Sequence, residues 1–429
     1  MGNSQTSSAD PRLTSATRAF SHHEFQQLQS LFNSLASQSH ANNNSSNAHF
    51  VSPSVFKGHF GIPGCLGDRM FDLITQKRRD QKLTFDDLVI AKGTYEKGTK
   101  VEIQEFVYQL LDVNDDGKVC RSDVQAVLAA IFDDVFAPKE GDSHLSSDSY
   151  IIDDILNAIQ FSENGGETDE RSMSFEDFKN LCLHIPSIRK YLRGLLAPSE
   201  PGSTCLLTGS QVPRLLFPES YGSNILLKVE YAWLLGGLLT QPEVEEWKLL
   251  YHSSFHGQSF NTFLGNVSNE EGPTLLIIKD REGYIYGGYG SQPWEKQSDF
   301  YGDMKCFLFQ LHPKVYMYRP TGANTNLQWC AVNYCSESIP NGIGFGGRVN
   351  HFGLFVSASF DTGQTFECTT FGSPCLSKSN RICPEVIECW SVFPKEVQQK
   401  STALKGTVLE RFKEDRNMLN MVGLANSSE

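Results

Sequence analysis

The apolar period of this 429-residue chain changes once, and that change restricts it to a helical part followed by a β-rich part. From about residue 20 to about Tyr251, apolar residues recur at helical spacing, as in Val101, Ile103, Phe106, Val107, Leu110 and Leu111. Beyond that point, short β-prone runs follow one another, and Gly, Pro and Asn punctuate nearly every junction. Thr274–Ile278 and Tyr284–Tyr286 flank a DREG turn and read as a hairpin. Cys306–Leu311, Val315–Tyr318, Gln328–Val332, Phe352–Ala358 and Val386–Val392 are further strand candidates. A Pro/Ser/Gly-rich stretch, Ala197–Ser203, reads as a linker. The expected class is α+β in two domains, an all-α region and then a β-sandwich flanked by helices.

Inside the helical part lies DVNDDGKVCRSD, Asp112–Asp123. Asp112, Asn114 and Asp116 stand at loop positions 1, 3 and 5, where side-chain oxygens converge on a hard cation. Gly117 takes the sixth position, which needs φ > 0, and Lys118 ligates through its carbonyl. Val119 at position 8 suits a short β-pairing between neighbouring loops, and Asp123 closes the loop at position 12. The pattern predicts an EF-hand-type calcium site at Asp112, Asn114, Asp116, Lys118 and Asp123. Asp123 has a shorter arm than the usual Glu, and Cys120 at position 9 brings no oxygen, so a weak, magnesium-tolerant site is expected.

That loop has relatives along the chain. KLTFDDL at 82–88, KVCRSDV at 118–124 and SMSFEDF at 172–178 resemble loop exits, and HFVSPSVF at 49–56 is a fourth candidate. The loop ending at Asp87 offers Gln76, Arg78 and Asp80 at positions 1, 3 and 5; the one ending at Asp177 offers Gly166, Thr168 and Glu170. Neither has the oxygens to replace a hydration shell. Residues 20–195 therefore read as four EF-hand-like units, one competent, with 196–203 as the linker.

A net charge of −13 argues against a nucleic-acid partner. No apolar run approaches the ~18 residues of a membrane span, and the N-terminus lacks an apolar signal core, so residence in the cytosol is expected. The start, MGNSQT, places Gly2 and Thr6 in the N-myristoylation pattern, on a flexible terminus at 1–19. A single acyl chain binds membrane only marginally, and Arg12 and Arg18 are the only fixed positive charges in the first forty residues, so a protein contact must assist. The segment 395–429 supplies a candidate: Leu404, Val408, Phe412 and Leu419 recur at helical spacing among charged residues, a partner-binding stripe weakened at its first turn by Gly406.

Signals for catalysis are thin. Gly342, Gly344 and Gly347 spell GxGxxG, but a strand-like run follows where a dinucleotide site needs a helix, so an inter-strand turn is expected. His252, His256, His312 and His351, with Glu295, Glu337 and Cys330, are candidate acid–base groups, without a nucleophile elbow or HExxH to organise them. The eleven cysteines include no CxxC pair; Cys330, Cys335, Cys368, Cys375, Cys383 and Cys389 are expected as reduced thiols rather than a zinc site. Trp247, Trp294 and Trp390 read as core aromatics. The chain is expected not to be an enzyme.

Several separate runs resemble the TLDc domain family in order and spacing: WKLLYHSSFHGQSFNTFL (247–264), GPTLLIIKDREGYIYGGYGSQPW (272–294), FLFQLHP (307–313), GIGFGGRVNHFGLFV (342–356) and TTFGSPCLS (369–377). The resemblance covers 204–394, with extra residues at 218–242, and the layout is similar to the lysosomal, growth-signalling subgroup. It implies two packed sheets with helices, no established catalytic residues, and engagement of vacuolar-type ATPase subunits. The combined expectation is a monomeric, calcium-binding, lipid-anchored adaptor at lysosomal or vacuolar membranes. The alternative is a soluble oxidation-resistance protein with a structural EF-hand region.

Overall fold

A computed structural model describes residues 11–42, 49–76, 78–137, 149–163, 171–196, 211–336 and 338–392. Gly2, the linker from Ala197 to Ser203, Glu337 and the stripe Leu404, Val408, Phe412 and Leu419 lie outside the described residues. The chain divides into two compact units. The first holds the residues up to Val212 together with Leu227–Leu239 and Gln310–Met317; the second holds Pro213–Leu226, Thr240–Phe309 and the residues from Tyr318 onward. The C-terminal domain expected as one run from 204 to 394 is thus interrupted twice, because Leu227–Leu239 and Gln310–Met317 pack within the helical unit.

The first unit contains α1 (Pro11–Ala19), α2 (His22–Asn42), α3 (Pro53–Phe60), α4 (Gly64–Ile74), α5 (Phe85–Lys92), α6 (Lys100–Gln109), α7 (Arg121–Val135), α8 (Ser149–Leu156), α9 (Phe175–His184), α10 (Pro186–Gly194) and α11 (Val229–Gly236). Residues 11–19, expected within a flexible terminus, are helical. Ala16 of α1 is buried against Gly93, where an added Cβ would fall 2.7 Å from the Ala16 Cβ.

Reciprocal caps start α5, α6, α7 and α9. Asp87 accepts the Thr84 N–H at 2.8 Å, Glu102 the Thr99 N–H at 2.7 Å, Asp123 the Cys120 N–H at 2.9 Å and Asp177 the Ser174 N–H at 2.9 Å. Each bond satisfies a donor that a helix start leaves open. The segments ahead of α3, α5, α7 and α9 meet in pairs. Val51 and Leu83 exchange N–H···O bonds of 2.9 and 3.1 Å, while Cys120 bridges Ser172 and the Met173 N–H reaches the Val119 carbonyl at 2.8 Å. Phe56, Leu66, Met70, Leu88, Ile131 and Phe178 fill the core beneath.

The later elements are β1 (Arg214–Leu216), β2 (Glu246–His252), α12 (Ser253–His256), α13 (Phe260–Val267), β3 (Thr274–Asp280), β4 (Ile285–Gly290), β5 (Phe307–His312), β6 (Tyr316–Tyr318), β7 (Gln328–Ala331), β8 (Gly342–Arg348), β9 (His351–Ser357), β10 (Gly363–Gln364), β11 (Arg381–Ile382) and β12 (Pro384–Ser391). One sheet runs β1-β2-β12-β3-β4-β5-β6 and the other β11-β10-β9-β8-β7. The second unit buries residues between sheets: the Phe345 ring of β8 lies so close to Gly288 of β4 that a Cβ there would fall 2.6 Å away. Burying a side chain such as Phe345 contributes about 1.5–3 kcal/mol.

Two segments fold differently from what their local patterns suggest. Glu246–His252, read as the end of the helical pattern, is a strand, because Trp247, Leu249 and Tyr251 alternate inward and pair with β12. The GxGxxG glycines do not make the turn. They lie within β8, and the β8–β9 connection is Val349–Asn350, with Asn350 at φ 65°. What the glycines provide is close strand approach: a Cβ on Gly344 would fall 2.4 Å from the Leu354 carbonyl oxygen.

Candidate functional site

The loop between α6 and α7 is built by its own side chains. Asp115 and Gly117 take positive φ of 63° and 83°, folding the chain back on itself. Asp112 Oδ1 accepts the Asp116 N–H at 3.2 Å and Oδ2 accepts the Gly117 N–H at 3.2 Å. Asn114 Oδ1 accepts the Asp116 N–H at 3.1 Å, and Asp116 Oδ1 accepts the Lys118 N–H at 2.8 Å. Asp112, Asn114 and Asp116 therefore gather around one turn.

The fourth side chain of the expected set behaves differently. Asp123 is buried, and its Oδ2 caps α7 through the Cys120 N–H. Among the described residues, no group of three or more His, Cys, Asp or Glu forms a metal cage. The donors that fit a divalent ion are the Asp112, Asn114 and Asp116 oxygens with main-chain carbonyls. That is a short set for calcium, which takes six to eight oxygens.

A residue without a sequence signal completes the loop. Arg69 of α4 is 5% exposed. Its Nε donates to the Gln109 carbonyl at 3.0 Å, Nη1 to Asp115 Oδ1 at 2.5 Å and Nη2 to Asp112 Oδ2 at 3.2 Å. Nothing in GCLGDRMFDLI marks Arg69 as a loop partner 43 residues upstream of Asp112; only tertiary packing delivers it. Its fork suits paired carboxylates.

The candidate acid–base groups are scattered. His252 is buried, with Nδ1 accepting the Ser254 N–H at 3.2 Å and Nε2 facing the Asn224 carbonyl at 3.2 Å. That acceptor role at Nδ1 fixes a neutral ring, and burial lowers its pKa. Glu388 Oε1 lies 3.5 Å from His252 Nε2 but is engaged by the Leu226 N–H at 2.5 Å, and Oε2 by Trp390 Nε1 at 2.9 Å. His256 accepts the His252 N–H at 3.0 Å, and His351 is exposed and packs on Phe366. His312, in the first unit, meets Asp154 at 2.9 Å; burial raises the Asp154 pKa while the His312 contact works against that. Cys330 is buried and pushed up to about 12, far from a reactive thiolate. Glu295 is exposed. His256 adjoins His252, and Cys330 and Glu295 both lie near Tyr301, but among the described residues the candidates do not converge on one catalytic centre. Trp247, Trp294 and Trp390 are buried, as expected of core aromatics.

The second unit also carries an open cleft of about 680 Å³, lined in part by Asn324, Arg348, His351, Phe366, Pro374 and Cys375. The ends of β8 and β9 form it together with loops near Asn324, Glu367 and Cys375, so it gathers residues of the runs 342–356 and 369–377. Among the described residues, no helix is long and apolar enough to cross a membrane.

Residues 220–393 match the TLDc domain. MTOR-associated protein MEAK7 of Danio rerio is 30% identical over 278 residues, covering 62% of this chain and 60% of that protein. The Mus musculus protein of the same name is 33% identical over 262 residues, covering 58% of this chain and 54% of the relative. Oxidation resistance protein 1 of Bos taurus is 29% identical over 221 residues, 51% of this chain and 24% of that protein. The chain thus spans less than two thirds of the length of each of these relatives.

Proposed function

Because this chain carries a TLDc domain at residues 220–393, we propose that it is a non-catalytic adaptor, responsive to calcium, that docks on vacuolar-type ATPase subunits. An acyl chain on Gly2 holds it at the cytosolic face of lysosomal or vacuolar membranes, and the Leu404, Val408, Phe412 and Leu419 stripe adds a second contact. Calcium, or magnesium in its place, is held by Asp112, Asn114, Asp116 and the Lys118 carbonyl. Asp123 joins as a ligand only by sharing its capping role. Similarity to proteins named mTOR-associated extends the proposal to complexes of growth signalling.

The observation that supports this reading most is the gathering of Asp112, Asn114 and Asp116 oxygens on the N–H groups of Asp116, Gly117 and Lys118, on a helical unit in the same chain as the TLDc domain. Its test is co-purification from solubilised membranes, in calcium and in chelator, with Asp112→Ala alongside. Recovery of ATPase subunits should change at least threefold between the two conditions for the intact protein and stay constant for the variant. Equal recovery in both conditions by the intact protein would remove calcium from the proposal.

A second reading is favoured by the likeness to Oxidation resistance protein 1. It is a protective role in oxidative stress, with the helical unit serving structure alone.

A further inference from the structure

The loop between α6 and α7 already holds a cation, and the chain supplies it. The Arg69 guanidinium is 5% exposed and spends all three nitrogens on one junction. Nε takes the Gln109 carbonyl at the C-terminus of α6, Nη1 takes Asp115, and Nη2 takes Asp112. Gln109 is the last residue of α6, where carbonyls lack helical partners and a positive charge is favourable. Asp112 Oδ2 then serves both Arg69 and the Gly117 N–H, so both of its lone-pair directions are in use.

We propose that Arg69 is the built-in counter-cation of the Asp112–Asp123 loop, and that an entering divalent ion competes with it and thereby loosens α4. This rests on the calcium reading above and adds the route by which the ion is felt elsewhere. Two opposite effects meet at Arg69. Its bonds hold Asp112 and the loop in shape before any ion arrives, which favours binding. Its charge stands within one carboxylate of the ion, which opposes binding. Repulsion between a unit charge and a divalent ion at such separation exceeds the net contribution of one hydrogen bond, so the charge decides the sign. Arg69 therefore weakens the site and links it to a helix in the neighbouring bridged pair. α4 follows α3, and α3 follows the Val51–Leu83 bridge segment. Asp115 accepts one end of the fork from a position that the calcium pattern does not use.

The test uses the full chain and calcium chloride alone. By titration calorimetry, Arg69→Gln should bind calcium at least tenfold more tightly than the unsubstituted protein, a difference of about 1.4 kcal/mol. Gln keeps a donor for the Gln109 carbonyl and removes the charge. Arg69→Lys, which keeps the charge, should bind within about threefold of the unsubstituted protein. In the unsubstituted protein, saturating calcium should speed amide hydrogen exchange across 64–74 at least twofold, a readout independent of any variant's folding. Equal affinity in Arg69→Gln, or unchanged exchange across 64–74 while calcium binds, overturns the role of Arg69 and leaves the calcium site standing. Absence of calcium binding in every protein overturns the site and the inference together.

Discussion

Some buried polar residues in this protein are taken up by backbone partners before they can do chemistry. His252 is the clearest case. Its Nδ1 accepts a backbone N–H and its Nε2 faces a backbone carbonyl, so the folded protein keeps the ring neutral, and its pKa falls below the usual 6.5. A histidine with a lowered folded pKa binds fewer protons folded than unfolded. Its contribution is complete above about pH 6.5 and is lost as pH falls toward the folded value. The thermal midpoint of the intact protein should therefore drop between pH 7.5 and 5.5. His252→Gln, whose amide can accept from Ser254 and donate to Asn224 without titrating, should show a smaller drop by scanning fluorimetry. Parallel slopes for the two proteins would mean that other groups carry the pH dependence.

At the scale of elements, glycines mark where strands and helices tolerate different things. Gly344 lies in β8 with the Leu354 carbonyl of β9 where its Cβ would be, 2.4 Å away. Gly344→Ala should destabilise the second unit by about 1–3 kcal/mol, the usual cost of overpacking. Gly265, in α13, has nothing within 4 Å of its Cβ position. Gly265→Ala should stabilise by about 0.5–1 kcal/mol, since glycine is the poorer helix former. Urea unfolding of both variants checks the contrast, and a Gly344→Ala midpoint at or above the parent's would show that the strands can separate to admit a methyl group. The exit carboxylates illustrate the same scale. Asp87, Asp123 and Asp177 are legible in sequence as recurrent acids three residues into a helix, and each is used as a cap. Whether an acid at that place also reaches an ion depends on loop geometry that the pattern does not contain.

At the scale of the whole molecule, the proposal is of several weak contacts acting together. One acyl chain gives marginal membrane affinity, and tethered contacts reinforce each other through effective concentration. Gly2→Ala should shift the protein toward the soluble fraction, and deletion of residues 396–429 should weaken co-purification with the ATPase while circular dichroism of the remainder is preserved. Fractionation and pull-down from the same lysate measure both. If either truncated or unacylated protein behaves as the intact one does, that contact is not part of the assembly.

The order of a helical region before a β-rich region follows from apolar period alone, because helices and strands bury one face at different spacings. So does the hairpin at β3 and β4, with Gly283 at φ 87° between them. The pairing at Val119 was likewise legible, since position 8 of such a loop has a fixed role. Strand β2 was not, because its short alternation sits at the end of a helical run and becomes a strand only where β12 offers hydrogen bonds. Nor was the assignment of Leu227–Leu239 and Gln310–Met317 to the helical unit, which is a matter of three-dimensional packing. The candidate site divides the same way. Asp112, Asn114, Asp116 and Gly117 are set by local spacing along one loop, whereas Arg69 arrives from another helix, and only the packing of α4 could place its charge there.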